Sequence, residues 1–394
     1  MGKKCAFITV LLLSLITFLT GCWNNRPLKS VSLCTAIGID KPDNQYPIEI
    51  SAQIAKSSAL GISEQAKPEE KAFVFASLSA NTFHGCSRNL FTVHLDRDIY
   101  VNHIRLIVIG EEYAKNGVAD ALEYYERDHE FSMDALVVVA KGLKATKVLQ
   151  AESDLQDVPA IHIYRTIKNT KATSEAYEIS LFDALTRMNT DGAEMTVGSF
   201  QFEPGSDETS LQNMDLRGAA AFKGDKLVGW LDKDDTKSLR IIENKLTGGV
   251  FEVPNPIEKG TYINYELFSA KSKCQLSIKD NKPSFHIKVE ASGGISEIHG
   301  EKTEVTSSNI KILESAANKV LKQMIEKTLN KAQHEFKSDI FGFGHKLYQD
   351  NPQFWESIKD NWDSIYQSMP ISVEVKVSTF EFQAGRVFER IETK

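Results

Sequence analysis

One stretch of this chain is apolar enough to enter a membrane alone, and it stops at a cysteine. Lys3 and Lys4 precede an apolar run from Ala6 to Thr20, the layout of an export signal. At about 15 residues the run is shorter than the roughly 20 that a helix needs to cross the hydrocarbon layer, so cleavage is expected rather than permanent spanning. Leu19-Thr20-Gly21-Cys22 closes it with the lipobox order: an apolar residue, two small ones, then cysteine. Small residues open the backbone to a peptidase, and only a thiol can form a thioether to diacylglycerol. The expectation is therefore removal of residues 1–21 and a diacylglycerol on Cys22, with or without a further N-acyl chain. Two acyl chains, at about 0.8 kcal/mol per buried CH₂, hold durably where one does not. After Thr20 no run is long enough to span, so the remainder has to fold in water, on the outer face of a cytoplasmic membrane.

That body is about 370 residues long, more than a single core usually supports, which predicts two or three domains. Its 42% hydrophobic and 25% charged residues are those of a folded chain, not of a disordered tether. Without Lys3 and Lys4 the formal net charge of −7 becomes −9, and no segment gathers Lys and Arg into a stripe. Nucleic-acid binding and charge-driven adhesion to anionic lipid are thereby set aside. With Cys5 in the signal and Cys22 lipidated, Cys34, Cys86 and Cys274 remain. This odd, scattered set is no disulfide framework and reads as small buried hydrophobes.

Residues 22–70 read as a β-hairpin segment with a linker. Leu28–Ile39 and Pro47–Ile54 are β-leaning runs around a turn-rich cluster at 40–45, and 57–71 is an exposed connection. Residues 71–205 read as α/β. Strand-like runs at 72–77, 104–109, 135–140 and 195–202 alternate with helix-like ones, among them 113–126, 143–150 and 179–188, with Ser79 placed to cap the first helix. Glu203–Asn213 is the best boundary. Residues 206–394 read as α+β, with hairpins around 223–225 and 280–283 and a helix capped by Thr236. The long helix at about 308–336 carries Leu313, Ala317, Val320, Met324, Thr328, Ala332 and Phe336 on one face. A shorter helix follows Pro352 with Trp355, Ile358, Trp362 and Ile365 on one face, and 371–377 alternates as a strand.

Chemistry is harder to find. There is no Gly-rich phosphate loop, no His-Glu-x-x-His, no Cys-x-x-Cys and no Gly-x-Ser-x-Gly. The nine His are not paired at i, i+4, and no metal site is expected. Nothing among the 53 acidic residues marks out the pair a glycosidase needs. Asp339-Ile340-Phe341-Gly342-Phe343-Gly344 has the composition of a backbone cradle for an anion. It reads better as a tight turn between two helices, with Phe341 and Phe343 entering a core.

Several segments together resemble the Ger(x)C spore germination lipoproteins, the C subunits of germinant receptors. They are Gly21-Cys22-Trp23-Asn24-Asn25-Arg26-Pro27-Leu28, Ala36-Ile37-Gly38-Ile39-Asp40, Gly218-Ala219-Ala220-Ala221-Phe222 with Leu227-Val228-Gly229-Trp230, and Asp339 to Gly344. The family usually has an acid after Cys-Trp and Glu before the Leu, where this chain has Asn24 and Pro27. The resemblance implies an α+β fold of three mixed domains, each a β-sheet with surrounding helices, on the outer face of the spore inner membrane. It implies A and B membrane subunits as partners that sense small nutrients, and no enzymatic activity or cofactor beyond the Cys22 lipid. Trp23, Arg26, Asp40, Asp339, Phe341, Gly342, Phe343 and Gly344 are its candidate interaction or structural residues, and direct contact with a germinant is left open. The alternatives are a solute-binding lipoprotein presenting a small nutrient to a transporter, and a cell-wall hydrolase.

Overall fold

The computed structural model describes Gly2 and residues 31–56, 72–93, 98–153, 158–300, 303 and 306–379. The signal run, Cys22, Trp23, Arg26 and the 57–71 connection lie outside these residues. Strands β1 (Val31–Asp40) and β2 (Ile48–Ala55) pair antiparallel around the predicted turn, and β3 (Phe73–Ala80) extends the meander. Helix α1 (Phe83–Val93) follows, then β4 (Asp98–Tyr100), β5 (Leu106–Gly110), α2 (Glu111–Asn116), α3 (Ala119–Arg127) and β6 (Leu136–Ala140). Next come α4 (Ala145–Gln150), α5 (Pro159–Asn169), α6 (Leu181–Met188) and β7 (Thr196–Phe202). Beyond the loop at 203–213 lie β8 (Met214–Asp215), the hairpin β9 (Ala219–Lys223) and β10 (Lys226–Leu231), and α7 (Lys233–Ile242).

These strands form one ten-stranded sheet of order β10-β9-β7-β6-β5-β1-β2-β3, with β4 on β1 and β8 on β7. Its centre, β7-β6-β5-β1, is parallel. Leu-Ile-Val-Ile-Gly in β5 and Leu-Val-Val-Val-Ala in β6 are buried throughout, because helices cover both faces. Leu106, Val108, Leu136 and Val138 join a core with α4 and α5, whereas Ile107, Ile109, Val137 and Val139 point to the core that holds α2, α3 and α6. The ladder runs through the predicted boundary, since β7 pairs with β9 across the 203–213 loop. The 22–70 segment likewise contributes β1 and β2 to the interior of the sheet.

A second sheet, β11-β12-β13-β14, uses Gly249–Pro254, Tyr262–Lys279, Lys282–Ile298 and Ile371–Thr379. Asp280 and Asn281, with φ of 51° and 57°, make the two-residue turn between its long strands, the left-handed pair that a twisted hairpin requires. Helix α8 (Ser307–Asn330) continues through a π-helical turn at Lys331–Phe336, as the 308–336 periodicity predicts. Its buried stripe is Leu313, Ala317, Leu321, Ile325, Thr328, Ala332 and Phe336. Val320 and Met324 sit at the margin, because 3.6 residues per turn carries the face one position further on by mid-helix. The chain closes with α9 (Phe343–Asp350), α10 (Pro352–Ile358) and α11 (Trp362–Ser368) before β14.

Local expectations fail where a neighbouring residue caps better. Ser79 lies inside β3, and Thr82 accepts the Gly85 N–H at 3.2 Å instead. Thr236 lies inside α7, where Asp232 and Asp235 form a reciprocal capping box, the anionic version of that device. The predicted 113–126 helix is broken by Gly117 at φ 126°. The helix after Pro352 is divided by a 3₁₀ turn at Lys359–Asn361, so the Trp355 and Trp362 rings meet edge to face at 5.4 Å. The architecture is the α+β one expected: mixed sheets with surrounding helices and a long helix in the C-terminal third.

Candidate functional site

Two buried aspartates organise the motifs singled out in the sequence, one in each half of the chain. Asp339 follows the π-helical turn, where Lys337 takes the left-handed conformation at φ 53°. Its Oδ1 accepts the N–H groups of Gly342 (2.9 Å) and Phe343 (3.0 Å), and its Oδ2 accepts Gly344 N–H (2.8 Å) and the Trp362 indole N–H (3.1 Å). The cradle that the sequence 339–344 suggests for an anion is thus filled by the chain's own carboxylate. Gly342 is required at φ 74°, with the Arg187 guanidinium 3.0 Å from where a Cβ would stand. At Gly344 a Cβ would meet Gly192 Cα at 2.7 Å. Phe341 and Phe343 are buried with rings 5.6 Å apart, and Phe343 reaches Phe285 of β13.

This turn is a clasp between distant segments. Arg187 of α6 donates to the Ile340 carbonyl at 2.7 Å and the Glu194 carbonyl at 3.1 Å. The Glu194 N–H donates to the Asp339 carbonyl, and His345 N–H to that of Gly192. Ser338 Oγ donates to the carbonyl of Phe222, the end of the Gly-Ala-Ala-Ala-Phe run. Gly229 leaves room for the Phe336 ring, whose Cε1 lies 2.1 Å from a hypothetical Cβ. The two hairpin motifs therefore pack on Ser338 and Phe336, the residues that lead into the 339–344 turn. Arg187, Ser338 and Trp362 have no motif to announce them, because Arg187 and Ser338 act on backbone carbonyls distant in sequence and Trp362 on the Asp339 carboxylate 23 residues before it.

Asp40 sits elsewhere, at the carboxyl end of β1. Its Oδ1 accepts Ala145 N–H at 2.7 Å and its Oδ2 accepts Thr146 N–H at 2.9 Å, so it caps α4 from 105 residues away. Gly110 ends β5 beside it, and a Cβ there would fall 2.1 Å from Asp40 Oδ1. Burial pushes the carboxyls of Asp40 and Asp339 up to about 6 against the pull of their N–H donors. The two differ in outlook: Asp339 is walled in by protein, whereas Asp40 lines a cavity of about 550 Å³ at the carboxyl ends of β1, β5 and β6.

Elsewhere, α7 carries fully buried charges at the contact between the sheets. Asp235 accepts from Lys331 at 2.8 Å and Thr328 at 3.0 Å, and Lys237 donates to the Val250 carbonyl at 2.6 Å. Cys34 and Cys86 are buried free thiols and Cys274 is partly buried. Burial pushes Cys34 up to about 12, so these are inert packing groups. Among the described residues, no helix is long and apolar enough to cross a membrane, and no group of three or more His, Cys, Asp or Glu side chains is arranged to hold a metal.

Comparison with known proteins accounts for both halves. The profile of the spore germination protein N-terminal domain matches residues 24–200, and that of the B3/GerAC-like C-terminal region matches 217–382. Spore germination protein KC of Bacillus subtilis (strain 168) is 26% identical over 98% of this chain and 97% of its own length. Spore germination protein B3 of the same organism is 25% identical over 92% and 94%. The crystal structure of the GerBC protein superposes with a TM-score of 0.58 at 20% identity, covering 87% of this chain and 96% of that one, which extends the likeness to the fold. The chain belongs to the Ger(x)C family of spore germination proteins.

Proposed function

We propose that this chain is the lipid-anchored C subunit of a germinant receptor. Acylated Cys22 would hold it on the outer face of the spore inner membrane, where it acts by protein contacts on polytopic A and B subunits. The observation that carries the reading is end-to-end likeness to spore germination proteins, two domain profiles and whole-length relatives together, in a chain whose N-terminus reads Leu19-Thr20-Gly21-Cys22. Confinement to the membrane plane raises the effective concentration of partners, so small interfaces suffice.

Replacing Cys22→Ala in spores tests this. The chain should leave the membrane fraction and nutrient-triggered germination should fall with it. Undiminished germination with the chain still sedimenting with membranes would refute the anchor. Co-purification of A and B subunits with a tagged chain is expected, and their absence would refute the partners.

A further inference from the structure

Helices α7 and α8 pack on one face of the second sheet. The alternate residues of its strands point to the other face, which meets water, as a largely antiparallel sheet allows. The strand register lays this outer face out in rows. Ser269, Ser292 and Ser378 stand side by side across the middle. Phe268, 41% exposed, projects beside Ser269, because a bulge between Leu267 and Ser269 turns both residues outward. Short hydroxyl side chains around a projecting ring leave this row open to close approach by another flat surface.

Charge differs in sign on the two sides of the middle row. On one side Glu266 stands between Val250 and Gly294, and Asn264 between Glu252 and Glu297. These two rows hold three exposed carboxylates and no lysine or arginine. Asn264 donates to Glu297 at 2.9 Å, and His299 lies 3.3 Å from the same carboxylate. On the other side Glu290 stands between Lys271 and Lys376, and Lys288 between Lys273 and Glu374. Four lysines share two carboxylates there. Lys288 holds Glu290 at 3.1 Å, and Glu374 lies 3.5 Å from His286. The hydrogen bond from Lys288, with the charges of Lys376 and Lys273 beside it, keeps the Glu290 carboxyl below its usual range. Negative charge is left over on one side and positive charge on the other, in a pattern that no run of the chain displays because each strand contributes one residue to a row.

We infer that this face binds the same face of a second copy of the chain. A two-fold axis along the middle row, in the plane between two stacked sheets, reverses the strand direction. It seats the carboxylate rows of each copy over the lysine rows of the other, so every contact is made twice. Anionic lipid or an acidic protein would attract the lysine rows and repel the carboxylate rows, whereas a partner with both signs in the opposite order satisfies both halves. A second copy is such a partner. Four strands about 4.8 Å apart and ten residues long, at roughly 3.3 Å per residue, make a face of about 600 Å², comparable with the roughly 800 Å² that each partner of a specific complex buries. The contact involves neither Cys22 nor the A and B subunits.

Capture of one full-length copy by another carrying a different tag, in detergent with micelles in large excess over chain, tests the contact. Wild-type copies should capture each other, and salt at about 1 M, where screening acts within about 3 Å, should release them. Lys271→Glu with Lys273→Glu makes both halves acidic, and Glu252→Lys with Glu266→Lys makes both basic; all four positions are exposed. Each double variant should capture its own kind at least about tenfold less than wild type does, as like charges set against each other imply. The two variants mixed should recover most of the wild-type capture, which also shows that both are folded. The proposal is overturned by wild-type copies that do not capture each other, or by capture that neither reversal changes. It is equally overturned by variants that stay apart when mixed, the result expected if the lysine rows serve anionic lipid or another protein. Failure here leaves the Cys22→Ala test untouched, and failure of that test leaves this contact intact.

Discussion

The Asp339 turn and the Asp40 turn use one device in two settings. In each, a buried carboxylate neutralises backbone N–H groups that begin a helix, and a glycine stands where a side chain would collide. Asp339 has four donors and protein on every side, and the neighbours of its turn come from α6, the loop before β7, β9 and α11. Asp40 has two backbone donors and lines the cavity at the carboxyl ends of β1, β5 and β6. The same chemistry therefore serves as a joint where it is sealed and as a cap beside a cavity where it is not. Sealing decides the role, because a carboxylate with no free lone pair and no approach path can only hold structure together.

The contrast is broken most directly by removing each carboxylate. Asp339→Ala leaves three backbone N–H groups and an indole N–H buried without acceptors, so urea unfolding should show a loss on the order of 4 kcal/mol or more. Asp40→Ala exposes its two donors to cavity water and should cost about 1 kcal/mol, the usual value of a helix N-cap. Equal losses would remove the distinction between a sealed and an open site.

The glycines sharpen it with a smaller effect. Gly344→Ala drives a Cβ into the Gly192 backbone at 2.7 Å, where nothing can yield, and overpacking of this kind costs about 1–3 kcal/mol. Gly110→Ala meets the Asp40 carboxylate, which can swing into the cavity. Its melting temperature should fall less than that of Gly344→Ala, as differential scanning calorimetry would reveal; the reverse order would argue that the Asp40 carboxylate has no room to move.

The smallest expected effect is in pH. Both carboxyls rise on folding from 3.8 to about 6. A group whose folded pKa is raised keeps its proton longer in the folded state. Its stabilising share is complete below pH 3.8 and is lost as pH climbs through about 6. Melting temperature followed across that window should show a component that declines with rising pH and that Asp40→Asn and Asp339→Asn each reduce. A pH profile unchanged in both variants would contradict the burial of these groups as ionisable acids.

Much of the architecture was legible beforehand because it rests on local pattern. Buried strands such as Leu106–Gly110 and Leu136–Ala140 declare themselves by unbroken apolar runs, and the Asp280-Asn281 turn by its residue types. Caps are less legible, since Ser79 and Thr236 are as suitable chemically as Thr82 and Asp232, and the choice depends on where the strand or helix already ends. The long helix is legible in its periodicity but its buried face is less so, because Leu321 and Ile325 win burial over Val320 and Met324 only once the sheet beneath is in position.

Function divides along the same line. A lipobox, an apolar run too short to span and a set of family motifs are contiguous in the chain, so the sequence by itself determines the expected anchor, the α+β composition and the family. What those motifs do was decided by tertiary structure alone. Phe222, Gly229, Phe336 and the 339–344 turn are separated by up to about 120 residues and meet only when two sheets close on Arg187 and Trp362. Asp40 reaches the helix it caps across 105 residues. Contacts of that span leave no periodicity in the chain, because each partner is selected by position in space and not by spacing along the backbone.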